Sequence, residues 1–166
     1  AIVQQPTAVN SGVPFSITVE ARNTGGTPVA VGVGVNLSAS GAGTLSGFTL
    51  TAGSGAGLLI EELRYTASAL PASFTLTVAL NGAAISVASS SIAVVAPATQ
   101  LGMVAPPAAA QAIEFFSVTV ELRDAAGQRV QLGPDAAMTV TAAKVSGPGN
   151  LYGQASKAAT SGLAGF

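Results

Sequence analysis

The stretch Phe15-Ser-Ile-Thr-Val-Glu-Ala-Arg22 alternates between apolar and polar side chains along its whole length. A period of two is typical of a β-strand with one face in a core and the other in solvent. The apolar set comprises Phe15, Ile17, Val19 and Ala21. On the outer face, Glu20 and Arg22 are expected to form a weak surface ion pair.

The same pattern recurs as Phe116-Ser-Val-Thr-Val-Glu-Leu-Arg123, at an offset of 101 residues (from 15 to 116). Two later blocks also match, and five extra residues are expected around Gly133–Asp135. The matched blocks, in order, are Phe15–Val29 with Phe116–Val130, Ser40–Gly47 with Ser146–Gly153, and Gly57-Leu58 with Gly162-Leu163. A repeat of about 100 residues is the size of a domain that folds by itself.

Other segments carry the same alternation, and turn residues separate them. Further strands are predicted at Val31–Leu37 and Phe74–Leu80, and a change of phase at Ser89–Ser91 predicts a β-bulge. Turns that begin with Asn or Asp and end with Gly are predicted at Asn23–Gly26 and Asp124–Gly127. A tight hairpin is predicted at Asn81-Gly82. Only Glu61–Tyr65 is ambiguous between helix and strand.

These signals predict an all-β fold made of two tandem immunoglobulin-like β-sandwiches. The first is expected at residues 1–96 and the second at 97–166, joined by a fairly stiff junction at Pro97–Gln100. The second is expected to be incomplete, because nothing in it matches the last two strands of the first. Phe116, Val118, Val120 and Leu122 would then face water.

Three explanations for the missing strands are open. The chain is a fragment of a longer polypeptide, its end is disordered, or strands from another molecule complete the sandwich by β-strand addition. We favour the fragment, because the break falls inside a strand motif.

Composition excludes several classes of function. The chain has no His and no Cys, so the common nucleophilic triads and zinc sites are absent. Its six basic residues are scattered, which argues against nucleic-acid binding. Its apolar runs are too short for a membrane span. The adjacent Glu61 and Glu62 would point to opposite faces of a strand. We therefore predict no catalytic, cofactor or metal site, and no enzyme.

Two residues remain as candidates for contact or modification. Asn36-Leu-Ser38 is a formal N-glycosylation sequon, and alternation places Asn36 on the outer face of its strand. Tyr152 stands in a predicted loop, where the first repeat has Ser46. It is the best candidate for contact with a partner such as a glycan, although packing over the sheet edge is the expected role. Asp124 is expected to cap its turn rather than bind a metal ion.

Four stretches together resemble the bacterial Ig-like and filamin-like tandem repeats of large surface proteins: Ser11–Glu20, Asp124–Gly127, Ser146–Gly153 and Ser161–Phe166. The resemblance implies an extracellular or cell-surface protein built of many such repeats. It favours a non-catalytic structural segment of a stalk, fibre, filament or surface layer, whose partners are other copies or repeats of the same assembly. The alternatives are an adhesion or glycan-binding module and an accessory domain of a secreted enzyme.

Overall fold

The structure, a computed structural model, describes residues 1–30, 34–52, 57–81, 84–104, 106–109, 111 and 114–166, without the side chains of 50–52. Within these ranges the chain is built of strands, so the predicted all-β fold is confirmed. In chain order the strands are β1 (Ile2–Gln4), β2 (Ala8–Asn10), β3 (Phe15–Arg22), β4 (Pro28–Val29), β5 (Val35–Ala39), β6 (Gly43–Ser46), β7 (Thr49–Ala52), β8 (Gly57–Ala67), β9 (Ala72–Phe74), β10 (Leu76–Leu80), β11 (Ser86–Ala88), β12 (Ile92–Val95), β13 (Gln100–Val104), β14 (Thr119–Arg123), β15 (Thr139–Thr141), β16 (Ser156–Ala158) and β17 (Leu163–Gly165). One turn of 3-10 helix lies at Pro134–Ala137.

The chain divides into two compact units, Ala1–Val95 and Ala96–Phe166. We call them unit 1 and unit 2. Residues 31–33 of the strand predicted at Val31–Leu37 and Gly82 of the predicted hairpin lie outside the described residues. The hairpin at Asn81-Gly82 is therefore described only through its flanking strands. Those strands, β10 and β11, are antiparallel.

Unit 1 is a two-layer sandwich. One layer has the strand order β1-β3-β8-β6, with β4 against β3 and β7 against β8. The facing layer consists of the three-stranded groups β11-β10-β5 and β2-β12-β9. Alternation in β3 buries Ile17 and Val19 while Ser16 and Arg22 are exposed, as the pattern predicts. Opposite them lie the buried Leu76 and Val94, so both layers contribute to one core.

The strand predicted at Phe74–Leu80 changes sheet at Thr75. β9 pairs with β12, whereas β10 pairs with β5 and β11. A second change of sheet occurs at Ser89–Ser91, between β11 and β12, so the predicted bulge there is wrong. Serine is suited to this crossing because its hydroxyl can form the hydrogen bonds that the backbone of a neighbouring strand would otherwise supply. The Ser89 Oγ accepts from the Leu76 amide at 2.8 Å and donates to the Ser90 carbonyl at 2.7 Å.

An irregularity of register lies instead in β8, which includes the ambiguous stretch Glu61–Tyr65. Ile17 faces Ile60 and Phe15 faces Leu63, so three residues of β8 pass two of β3. Glu62 takes up the extra residue in a left-handed conformation, with φ 59°. This bulge brings Leu63 and Tyr65 to the core side after Ile60.

Both predicted Asx turns are confirmed. The amide of Gly26 donates to the Asn23 carbonyl at 2.9 Å, and that of Gly127 donates to the Asp124 carbonyl at 3.0 Å. Both glycines have positive φ, 78° and 77°, which a side chain disfavours. The turns that follow β3 and β14 therefore have the same construction.

Unit 2 has a three-stranded sheet, β13-β14-β17, and a separate pair, β15-β16. Its core is small and consists of Leu122, Val140, Ala159 and Ala164, with Val120 and Phe166 packed against it. Among the described residues of unit 2, no strands correspond to β9–β12.

The register of β14 with β17 repeats that of β3 with β8. Val19 faces Leu58 in unit 1, and its counterpart Val120 faces Ala164 in unit 2. Ala164 therefore corresponds to Leu58, an offset of 106 residues (from 58 to 164). The sequence match of Leu58 with Leu163 is wrong by one residue, because Gly-Leu is too short a motif to fix a register.

The predicted apolar face of β14 is only partly open. Leu122 is buried at 4% exposure by the small core, so the prediction that it would face water is wrong. Val118 and Val120 are half-buried. Phe116 lies before the strand begins and is 45% exposed. The open part of the face is therefore its amino-terminal end.

Candidate functional site

The exposed end of that face forms an apolar groove on unit 2. It encloses about 590 Å³ and is lined mainly by apolar side chains, among them Met103, Phe115, Phe116, Val118, Tyr152 and Phe166. The groove exists because the matching face of unit 1, on β3, is covered by β10 and β12, and the described residues of unit 2 offer no such cover. Met103 is 66% exposed in consequence.

Tyr152 lies at the border of this groove and is 84% exposed. The expectation that it packs over the sheet edge is therefore wrong. Its hydroxyl accepts a hydrogen bond from the Asn150 side-chain amide at 3.2 Å. Nearby, the Lys144 ammonium donates to the Gly149 carbonyl, which closes the loop on itself. An exposed ring at the border of an apolar groove is suited to contact, and that role stays a prediction.

Asn36 lies on β5, opposite Ala79 of β10. Its side chain is exposed, while its neighbours Val35 and Leu37 are buried and half-buried. The outward orientation expected from alternation is thus present, and an attached sugar would meet solvent. Glycosylation at Asn36 stays a prediction.

The charged residues of the described ranges are mostly engaged in local structure. Three ion pairs join residues two apart on one strand face: Glu20–Arg22 at 2.9 Å, Glu62–Arg64 at 3.6 Å and Glu121–Arg123 at 2.7 Å. The first and third occupy matching positions in β3 and β14, and the ion pair expected between Glu20 and Arg22 is confirmed. All are partly exposed, so each adds little to stability.

Both aspartates accept hydrogen bonds from the backbone. The Asp124 Oδ1 accepts from the amides of Ala126 and Gln128 at 3.0 and 2.8 Å, which makes it a turn cap. The Asp135 Oδ2 accepts from the Ala98 amide at 2.8 Å. Across the described residues, no three carboxylates come together in a way that could hold a metal ion.

A second cleft of about 500 Å³ opens between the layers of unit 1, lined by Val19, Leu58, Val78 and Leu80 among others. No signal in the sequence marks it, since its lining residues follow the ordinary alternation of core strands. Among the described residues that line the cleft, the charged side chains are Glu20 and Arg22, which already pair with each other. These residues therefore bring no unpaired charged side chain to the apolar walls.

No protein-family model matches the chain, and no curated protein is similar to it. Three solved structures are similar at low identity. One is surface layer protein SbsC, domains 4–9 (16% identity, 88% of this chain, 23% of that chain, TM-score 0.42). Another is S-layer protein SbsC, domains 5–6 (16% identity, 88% of this chain, 71% of that chain, TM-score 0.41). The third is Yersinia pseudotuberculosis adhesin InvE (14% identity, 99% of this chain, 49% of that chain, TM-score 0.43).

The chain thus spans about a quarter of the first of these structures, 23% of its length. Within the ranges that the structure describes, no helix has the length and apolar character needed to cross a bilayer.

Proposed function

We propose that the chain is a non-catalytic structural segment of an extracellular or cell-surface protein, in which tandem β-domains build a stalk, fibre, filament or surface layer. One observation carries the proposal. Two units made from one chain repeat the same strand pair in the same register, Val19 with Leu58 and Val120 with Ala164. Repetition of a folded unit lengthens a protein without adding a new chemical site.

The side chains support a role in spacing and contact. The chain lacks His and Cys, and its glutamates at positions 20, 62 and 121 pair with arginines on their own strands. Outward positions such as Ser16, Asn36 and Ser38 are small and uncharged. Strand faces of this kind suit contact with other copies or other repeats of the same assembly, because burying them removes few charges from water.

An in-frame deletion of residues 1–166 from the parent gene tests the proposal. We expect a shortened or disordered surface structure in electron micrographs, with enzymatic activities of the cell surface unchanged. A matched control replaces the segment with an unrelated pair of β-sandwich domains of equal length, which should restore the length of the structure. Loss of a catalytic activity with normal surface structure would contradict the proposal and would favour an accessory domain of a secreted enzyme.

The second candidate function is adhesion or glycan binding. The observation in its favour is the 84% exposed Tyr152 at the border of an apolar groove, since aromatic rings stack on sugar faces. A glycan array with the purified chain and its Tyr152→Ser variant separates the two candidates. The variant carries the residue that the first repeat has at Ser46. Binding that is lost in the variant would support adhesion, and an array without binding would support the structural role.

A further inference from the structure

Among the strand pairs that the described residues form, β2 with β12 is the single parallel one. Its register is Ala8 with Ala93, Val9 with Val94 and Asn10 with Val95. β2 is close to the beginning of unit 1, and β12 ends at Val95, the last residue of that unit. The two terminal regions of unit 1 are thus bonded directly to each other, side by side and in the same direction.

The hydrogen bonds of this pair form a short continuous ladder. The Ala93 amide donates to the Thr7 carbonyl at 3.0 Å, and the Ser11 amide donates to the Val95 carbonyl at 3.0 Å. Between these two bonds, the parallel register has the Val9 amide donate to Ala93 and the Val9 carbonyl accept from Val95. Val9 and Val94 are 2% and 0% exposed, so the ladder is also shielded from water.

The direction of the strands decides how this ladder responds to tension. A pull on unit 1 through the polypeptide first meets β1, which pairs with β3, and after β1 is released it acts on β2 from its amino-terminal end. On β12 the pull acts from the carboxy-terminal end. In a parallel pair these ends lie at opposite ends of the ladder, so the force runs along the strands and loads all the bonds together. If the two strands were antiparallel, both forces would act at one end and would open the bonds one at a time.

Tension from unit 2 also reaches the ladder without slack. Unit 2 begins at Ala96, directly after β12, and its own first strand starts at Gln100. The residues between them include Pro97, and the Thr99 amide already donates to the Arg123 carbonyl at 2.8 Å. Little chain is therefore free to extend before the ladder carries the load.

We propose that unit 1 is a load-bearing domain in which the β2–β12 ladder is a mechanical clamp that resists extension of the chain. This function rests on the ladder and goes beyond the proposed role in an extracellular assembly. It can fail while that role stands, because a spacer domain does not have to resist force.

Force spectroscopy with two placements of the attachment points tests the clamp. The chain has no cysteine, so two introduced cysteines are unique handles. In Thr7→Cys/Ala96→Cys the force shears the ladder. In Val13→Cys/Ala96→Cys both handles lie at the same end of the pair, since the Val13 amide donates to the Asn10 carbonyl at 3.1 Å, and the force peels β2 from β12. Circular dichroism checks that both variants are folded.

We expect the unfolding force of the shear variant to be at least about twofold that of the peel variant at equal pulling speed, because bonds loaded together break together. Equal forces in the two geometries would overturn the proposal. These handles change no buried side chain, so the comparison measures the native ladder.

Two proline variants test whether the ladder itself causes the resistance of unit 1 to force. Val9→Pro removes a donor from the clamp, whereas Val87→Pro removes a donor from the antiparallel pair of β10 and β11, where Val87 faces Val78. Because Val9 is buried and Val87 is half-buried, each variant is compared by the ratio of its shear force to its peel force. We expect Val9→Pro to lower this ratio toward one and Val87→Pro to leave it near the native value. An equal or larger fall of the ratio in Val87→Pro would contradict the clamp. If Val9→Pro does not fold, the two handle placements still decide between a clamp and a passive spacer.

Discussion

Val118 and Phe166 exchange two backbone hydrogen bonds, with Val118 donating at 2.8 Å and Phe166 donating at 2.7 Å. In unit 1 the equivalent residues, Ile17 and Ile60, are also direct partners, in β3 and β8. The offsets differ, 101 residues for the first member of the pair and 106 for the second. The extra residues of the second repeat are therefore accommodated between the two strands without disturbing their register.

Val19→Asp should unfold unit 1. Val19 is 7% exposed in the main core, and an unpaired carboxylate there would lose its hydration, at a cost of more than about 3 kcal/mol. The neighbouring Glu20→Ala should change stability by less than about 1 kcal/mol, because it removes a partly exposed ion pair. Urea titrations followed by far-ultraviolet circular dichroism would measure both. A folded Val19→Asp variant of normal stability would contradict the assigned core.

Gly162→Ala should destabilise unit 2 far more than Gly127→Ala. Both glycines have positive φ, 76° and 77°, so alanine strains both by about 1 kcal/mol. At position 162 the new methyl group would also overlap the carbonyl oxygen of Val130, whereas at 127 it meets no atom within 4 Å. Hydrogen exchange of the β14 and β17 amides reports the difference. Similar protection in the two variants would show that the turn at Gly162 is not packed as described.

Tyr65→Phe should leave unit 1 as stable as the native chain, or more stable by up to about 1 kcal/mol. The Tyr65 hydroxyl is buried and has no hydrogen-bond partner among the described residues, while its ring stacks on Phe74 at 4.0 Å. Phenylalanine keeps the stack and removes the unpaired group. Tyr65→Ala, which loses the ring, should cost about 3 kcal/mol or more. A shift of the urea midpoint to clearly lower values in Tyr65→Phe would mean that the hydroxyl has a partner.

Asp124→Ala should cost about 1 kcal/mol, because two backbone amides lose their acceptor. Asp124→Asn should be almost neutral, since the first repeat uses Asn23 at the same place and its Oδ1 accepts from the Thr27 amide at 2.9 Å. Thermal unfolding with and without added calcium checks the role of the residue. A calcium-dependent rise in the melting temperature that is lost in Asp124→Ala would favour a metal ligand over a turn cap.

Sequence alone predicted the features that depend on local pattern. The alternation in Phe15–Arg22 fixes which side chains of β3 enter the core, and Asx and Gly fix the turns after β3 and β14. These predictions succeed because strand periodicity and positive φ act within a few residues. Which strand pairs with which was harder to predict from the sequence, since pairing joins residues far apart in the chain.

The predictions that the structure contradicts also depend on contacts between residues far apart in the chain. The change of phase at Ser89–Ser91 is equally consistent with a bulge and with a change of sheet, and only the partners of β11 and β12 decide between them. The exposure of Tyr152 depends on what covers the loop, which no local pattern records. The ladder between β2 and β12 joins the two ends of unit 1, and neither short segment carries a signal for its partner.

Immunogold labelling of intact cells of the source organism tests the central claim, that the chain belongs to a structural assembly outside the cell. Antibodies raised against unit 1 should label the surface of unpermeabilised cells in a continuous layer or along fibres. Brief protease treatment of the intact cells should remove the label. Labelling that appears only after permeabilisation, and resists protease before it, would contradict the account.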